Sequence, residues 1–374
     1  MNNDVKILLT MWRRSLSTSY YRCFGCRSSG PKVLWKSQAV RTCSAPALPA
    51  GRITPLQAVK LWKRRFEERG VTEPEQSSQY IIAHLLGAKT IESLEQERLT
   101  EFLSREQTEQ IWKLCTKRLS RMPVQYVIEE WDFRDLTLKM RPPVFIPRPE
   151  TEELVELVLN DLQMKTEMGV PAETEPTCLE VGCGSGAISL SLLKSLPQLK
   201  GVALDQSQDA VDLTRENALR LGLEDRLEIH HIDVMKDAET LLSLIRPVTT
   251  LVSNPPYLFS EDMVSLEPEI LSVCFCCVLL PRFEDPAALD GGEDGLKVIK
   301  QILTLAPQIL SSYGRAYLEV DPRHPPLIRQ WVEGNVDGLQ FKEARHDITG
   351  RPRFCILQKE EVKQGPQAGS GLRN

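Results

Sequence analysis

Hydrophobic positions run through three regimes along the chain. Between 53 and 120 they recur at helical spacing. Leu56, Val59, Leu61, Trp62 and Phe66 mark a first helix, Tyr80, Ile81, Leu85 and Leu86 a second, and Ile111, Trp112, Cys115 and Leu119 a third. Thr54-Pro55 reads as an N-cap followed by proline at the first helical position. These stripes predict the interior of a small helical domain over 53–120. From 121 to 148 the residues become β-type. Val124, Tyr126, Val127 and Ile128, then Trp131, Phe133, Leu136 and Leu138, flank a turn at Arg134-Asp135 and predict a β-hairpin linker. Pro142, Pro143, Pro147 and Pro149 interrupt regular structure. Thr151-Glu152-Glu153 then opens a helix through Leu154–Leu159 with an acidic first turn.

In the third regime, short apolar runs alternate with helical patterns. Strands are predicted at Cys178–Val181, Gly201–Leu204, Leu227–His231, Thr250–Ser253, Arg315–Val320 and Phe354–Gln358. Helices are predicted at Ala187–Ser195, Asp209–Leu221, Val298–Leu310 and Leu327–Val332. Such alternation implies an α/β fold, a doubly wound and mostly parallel Rossmann-like sheet over 149–360. A disordered tail is expected over 361–374.

Charge divides the chain. Residues 1–50 carry eight Lys/Arg and one acid, Asp4, whereas 51–374 carry 38 bases and 50 acids. An Arg- and Ser-rich, acid-poor head predicts a mitochondrial transit peptide over 1–50, with a disordered basic tail as the alternative. Met11 opens an acid-free stretch, MWRRSLSTSYYR, and is a second candidate start. Cys23-x-x-Cys26 has metal-like spacing but no second pair at zinc-finger distance. Ten Cys in 374 residues do not make a disulfide scaffold. The longest apolar run, Leu271 to Leu280, is too short to span a bilayer, which takes about 18 residues or more.

Candidate chemistry gathers at the predicted strand ends. Leu179-Glu180-Val181-Gly182-Cys183-Gly184-Ser185-Gly186 closes one strand and opens a helix. Glycines there let the backbone turn sharply and lie against a ligand. By itself the turn is shared by sites for NAD, FAD and S-adenosylmethionine, but G-x-G-x-G differs from the dinucleotide G-x-G-x-x-G. Asp205, ending the second strand, can accept bonds from ribose hydroxyls, or serve as a loop N-cap. Asp233 ends the third strand, where an acid can take an exocyclic adenine amine, and a purely structural role is a stronger alternative here than at Asp205.

The fourth strand ends in Asn254-Pro255-Pro256-Tyr257. A planar NH₂ group, on an amide or an adenine, has a delocalised and weakly nucleophilic lone pair. The Asn254 side-chain oxygen and the Pro255 carbonyl can each accept one of its N–H bonds. They would thereby stabilise positive charge developing on nitrogen. Two prolines stiffen the loop in advance, and Tyr257 offers a face for a flat group.

These residues resemble the amino-methyltransferases that use S-adenosylmethionine. Three more stretches narrow the resemblance to the HemK/PrmC family of release-factor glutamine N5-methyltransferases, over roughly 53–360. They are Phe145–Glu152 (FIPRPETE), Glu284–Leu296 (EDPAALDGGEDGL) and Arg121–Val127 (RMPVQYV). The resemblance implies methyl transfer to the glutamine side-chain amide in the Gly-Gly-Gln loop of release factors, mitochondrial ones given the head. It implies that the helical domain helps grip the factor. Carried over, Gly182, Cys183, Gly184, Ser185, Gly186, Asp205, Asp233, Val234 and Asn254 would contact S-adenosylmethionine. Asn254, Pro255, Pro256 and Tyr257 would hold the amide. A monomer in the mitochondrial matrix is expected, without metal, membrane or direct nucleic-acid binding. Leu271–Pro281 departs from the family's short polar stretch and reads as a splice variant or gene-model product.

Two other classes compete. A nucleic-acid adenine N6-methyltransferase could use the same tetrapeptide on a flipped base, but the acidic body lacks the basic surface that phosphate binding requires. A non-catalytic assembly factor that binds S-adenosylmethionine would predict a degraded tetrapeptide, and this one is intact.

Overall fold

The computed structural model describes residues 47–167, 176–266, 268–271 and 283–360. The expected transit peptide up to residue 46, residues 272–282 of the Cys-rich segment, and the tail from 361 lie outside the described residues. Two compact units meet between Val124 and Gln125.

The first unit is helical, with Pro55–Glu68, Pro74–Leu85, Gln96–Thr100 and Arg105–Leu119. Thr54 and Gln57 exchange side-chain and backbone bonds in a capping box, and Ser104 and Gln107 repeat it at the last helix. The indole of Trp62 meets Trp112 edge-on at 5.0 Å between ring centroids, and Phe66 lies 5.7 Å from it. Buried Arg118 ties the unit together, donating to Ser77 Oγ at 3.0 Å and to the Thr72 carbonyl at 2.8 Å.

Val124–Ile128 forms a short helix rather than the expected β segment. Tertiary packing overrides β-propensity here: Val124, Tyr126, Val127 and Ile128 are all buried, and the Tyr126 hydroxyl donates to the Val144 carbonyl at 2.5 Å. The hairpin itself is narrower, β1 (Glu130–Phe133) against β2 (Leu136–Lys139). It is stitched to the helix Gln208–Leu221 by the Asn217 side chain, which accepts from Lys139 N at 2.7 Å and donates to its carbonyl at 3.2 Å. Pro149 does not interrupt structure but starts the helix Pro149–Glu167, its missing N–H being one that a first turn leaves unbonded anyway.

The second unit carries seven strands: β3 (Thr177–Val181), β4 (Lys200–Asp205), β5 (Leu227–His231), β6 (Val248–Ser253), β7 (Leu310–Glu319), β8 (Leu339–His346) and β9 (Pro352–Lys359). Their order is β5-β4-β3-β6-β7-β9-β8. The pairs from β5 to β7 are parallel, and β9 is antiparallel to both β7 and β8. Order reverses between β3 and β6, so the carboxyl ends of those strands open a crevice. A core of Leu179, Leu251, Ile299, Ile302, Leu318 and Leu357 lies beneath it. Sequence patterning misses β8, an edge strand carrying Gln340, Lys342, Glu343 and Arg345, because polar residues suit a sheet edge. It also misses the short helix Ala238–Leu244. Among the described residues no helix is long and apolar enough to cross a membrane.

Candidate active site

Strands β3, β4 and β6 end on one side of the sheet, and a cleft opens there. Gly182, Cys183, Gly184, Ser185, Asp205, Asp233, Val234, Asn254, Pro255 and Pro256 all line it. Gly186 and Tyr257 do not.

The turn after β3 is shaped as a cradle. Gly182 N and Cys183 N both donate to the Leu204 carbonyl, at 2.8 and 2.9 Å, bending the chain across the end of β4. Gly182 and Gly184 have φ of +79° and +56°, and a Cβ on either would point into open space. Their backbone is therefore bare toward the cleft, as a close-lying ligand requires. Gly186 serves another purpose. A Cβ there would meet Leu190 Cδ1 at 2.8 Å and Thr214 Cγ2 at 3.0 Å, so this glycine permits close helix packing. Two residues absent from the sequence reading hold the cradle from behind. Thr214 Oγ1 donates to the Gly184 carbonyl at 3.0 Å, and Asn217 Nδ2 to the Ser185 carbonyl at 2.9 Å. Both lie on the helix Gln208–Leu221 and are fully buried. A buried Thr and Asn at helical spacing are the only sequence signal for them.

Asp205 spans the cradle and the next helix. Its Oδ2 accepts Gly184 N at 2.9 Å and its Oδ1 accepts Ser207 N at 2.9 Å. Each oxygen keeps a further lone pair for a hydroxyl. Burial pushes this carboxyl above its ordinary range, and the two N–H bonds oppose the shift. Asp233 is more committed: Met235 N donates to Oδ1 at 2.9 Å and Lys236 Nζ lies 2.8 Å from Oδ2. Glu180, also lining the cleft, is buried and accepts from Ser189 N at 3.0 Å and from the Ser189 hydroxyl. Burial pushes its pKa up to about 8.

At the end of β6, Asn254 turns its Nδ2 to Thr151 Oγ1 at 3.1 Å. Thr151 in turn donates to Glu319 Oε2 at 2.8 Å. A hydroxyl that gives its proton to a carboxylate can only accept from its other neighbour, so the Asn254 nitrogen must face Thr151. The opposite end of that amide, Oδ1, is left for another donor. Tyr257 is not among the residues lining the cleft, and its hydroxyl donates to Glu319 Oε1 at 3.2 Å. Glu319, at the end of β7 and 1% exposed, thus anchors both ends of the Asn254–Tyr257 tetrapeptide. Burial pushes its carboxyl up to about 7, against the pull of Thr151 and Arg353.

The rim comes from two separate loops. Phe145 and Pro147 line the cleft from one side, Asp285, Ala287 and Ala288 from the other. Buried Glu284 joins them, accepting Ile146 N at 3.2 Å and Arg148 Nη2 at 2.7 Å. The Arg148 guanidinium also covers the Phe145 ring at 4.6 Å.

Comparison with known proteins decides the family. Residues 57–128 match the PrmC N-terminal domain and 153–270 the methyltransferase small domain. The chain is 48% identical over 311 residues to the human "MTRF1L release factor glutamine methyltransferase", covering 83% of this chain and 89% of that one. The chain belongs to the release factor glutamine methyltransferases. Bacterial members are similar along most of their length. The Deinococcus radiodurans enzyme is 32% identical over 79% of this chain and 95% of its own, and the Streptococcus pneumoniae enzyme 33% over 71% and 84%. This methyltransferase therefore carries its cleft at the crevice where α/β sheets bind their ligands.

Proposed function

We propose that the protein transfers a methyl group from S-adenosylmethionine to the side-chain amide nitrogen of the glutamine in the Gly-Gly-Gln loop of mitochondrial release factors. The reading rests chiefly on the orientation of Asn254, whose Oδ1 is left to accept an N–H at the edge of the cleft. Family membership supports the class of substrate. The basic, acid-poor head supports a mitochondrial address.

The cleft fits the cofactor. The bare Gly182 and Gly184 backbone would let it lie close, Asp205 would take ribose hydroxyls, and Asp233 with Val234 would border the adenine. Bound S-adenosylmethionine supplies an electrophilic methyl group. The chain's own residues make the amide nitrogen able to accept it. Asn254 Oδ1 and the Pro255 carbonyl would each take one N–H, which fixes the plane of the amide so that its lone pair faces the methyl group, and the nitrogen would give up one of those protons on being methylated. The same acceptors stabilise positive charge as it develops on nitrogen. Pro255 and Pro256 hold that geometry before substrate arrives. The helical unit would hold the release factor, and the protein would act as a monomer without binding nucleic acid.

The test uses the chain lacking residues 1–46, labelled S-adenosylmethionine, and a release factor carrying Gly-Gly-Gln or Gly-Gly-Ala. Label on the Gln form alone is the expected outcome. Equal label on both forms, or label on added RNA or DNA instead, overturns the reading.

A further inference from the structure

The mechanism above asks one thing of Asn254 that its own backbone cannot supply. A primary amide is nearly symmetric in shape, and a half-turn about its last bond exchanges Oδ1 for Nδ2. Only one of the two orientations presents an acceptor to the substrate. The other presents a donor and would repel the N–H it should hold. Something outside the tetrapeptide has to choose.

We propose that Glu319 and Thr151 are positioning residues that set the Asn254 side-chain amide, and so keep its oxygen turned to the substrate nitrogen. This rests on the functional reading above and deepens it. The three side chains come from distant places: Thr151 on the helix Pro149–Glu167, Asn254 after β6, Glu319 at the end of β7. Thr151 and Glu319 are buried, at 3% and 1% exposure; Thr151 borders the cleft, and Glu319 meets Asn254 through Thr151. The logic is directional. An ionised Glu319 can only accept, so Thr151 must donate to it, at 2.8 Å. Thr151 has one proton and has given it away. Its lone pairs then admit only a donor, which is Asn254 Nδ2 at 3.1 Å. Tyr257 donates to the other carboxylate oxygen at 3.2 Å, so one anion orders both ends of the tetrapeptide. A neutral acid in place of Glu319 would break the chain of direction, because it could itself donate to Thr151 and free that hydroxyl to donate to Asn254.

The experiment has two readouts. Selective ¹⁵N-asparagine labelling of the protein gives the Asn254 side-chain NH₂ signal, assigned by its loss in Asn254→Asp. Steady-state kinetics with the Gly-Gly-Gln release factor give kcat and KM. Thr151→Val, nearly the same shape without the hydroxyl, is expected to move the NH₂ signal and lower kcat roughly tenfold, the worth of about one buried hydrogen bond. S-adenosylmethionine affinity and KM for the factor should stay within about twofold of wild type. Thr151→Ser should restore both signal and kcat. Glu319→Gln, which keeps the shape of the carboxyl, should move the same signal and serves if Thr151→Val does not fold. An Asn254 signal unmoved by these changes overturns the proposal. So does an equal loss of kcat in Thr151→Val and Thr151→Ser, or a change confined to KM. If the wild-type protein methylates no release factor, the functional reading fails by itself, while the NH₂ signal still decides whether Thr151 and Glu319 orient Asn254.

Discussion

Asn254 and Glu319 sit at the two ends of one hydrogen-bond chain, joined through the hydroxyl of Thr151 at 3.1 and 2.8 Å. The residue proposed to face the substrate is thus linked to a buried carboxylate 65 positions later in sequence.

Removing the acceptor should damage chemistry and spare binding. Asn254→Ala is expected to lower kcat by about 10²–10³, the usual effect of losing one preorganised polar group at developing charge. Calorimetry with S-adenosylmethionine should give an affinity within a few fold of wild type. A variant that loses affinity and keeps its rate at saturation would place Asn254 in cofactor binding only.

The rate should have an acid limb. Glu319 is pushed up to about 7 by burial. The groups facing it are Thr151 and Glu150 from the helix Pro149–Glu167, Tyr257 from the tetrapeptide and Arg353 from β9. Above that value the carboxylate is ionised and Asn254 is held in the accepting orientation; below it the acid is neutral and the orientation is lost. The expected kcat therefore falls as pH drops through about 7. In Glu319→Gln the rate is lower and this limb is absent. A wild-type profile flat from pH 6 to 8.5 would contradict the assignment.

Cofactor affinity should depend on Asp205. Its two oxygens already fix Gly184 N and Ser207 N at 2.9 Å. Asp205→Ala removes both anchors and the proposed ribose acceptor together. Hydrogen bonds to charged groups are worth about 1.5–3 kcal/mol each, so Kd for S-adenosylmethionine should rise by roughly 10–100-fold. Equilibrium dialysis measures this, and a Kd unchanged by the substitution would remove Asp205 from the binding site.

Glu180 gives a prediction about stability. Its folded pKa is pushed up to about 8, from an ordinary value of 4.5, by burial. The fold favours the neutral acid, so this group's contribution is fully present below its unfolded value and is lost as pH rises toward the folded one. Thermal stability of the cofactor-free protein should decline from pH 5 to pH 8, and Glu180→Gln should decline less over the same window. Parallel Tm profiles for the two proteins would show that burial of Glu180 does not set the slope.

The close packing behind the cradle is testable at Gly186. A methyl group there meets Leu190 and Thr214 at 3.0 Å or less, at a φ of +83°. Gly186→Ala should lower Tm by several degrees, a loss of about 1–3 kcal/mol for strained backbone and crowding. Scanning calorimetry would detect it, and an unchanged Tm would mean that the helix Ala187–Ser195 moves away at little cost.

What the sequence by itself determined was whatever depends on neighbours along the chain. Helix starts at Thr54-Pro55, the alternation of strands and helices, the Gly182–Gly186 turn and the Asn254–Tyr257 tetrapeptide are all set by local residue types. Periodicity and turn chemistry act over a few residues, so they can be read directly. Tertiary structure decided whatever depends on partners far away. Val124–Ile128 is helical because its side chains are buried, although their propensity favours a strand. Tyr257 gives its hydroxyl to Glu319, a partner 62 positions away. Gly186 packs a helix instead of lining the site. Thr151, Thr214 and Asn217 act through contacts across 30 to 168 positions of sequence, as Thr151 does with Glu319 and Asn254. A hydrogen bond's direction follows from which groups meet when the chain closes on itself, and no local pattern records that.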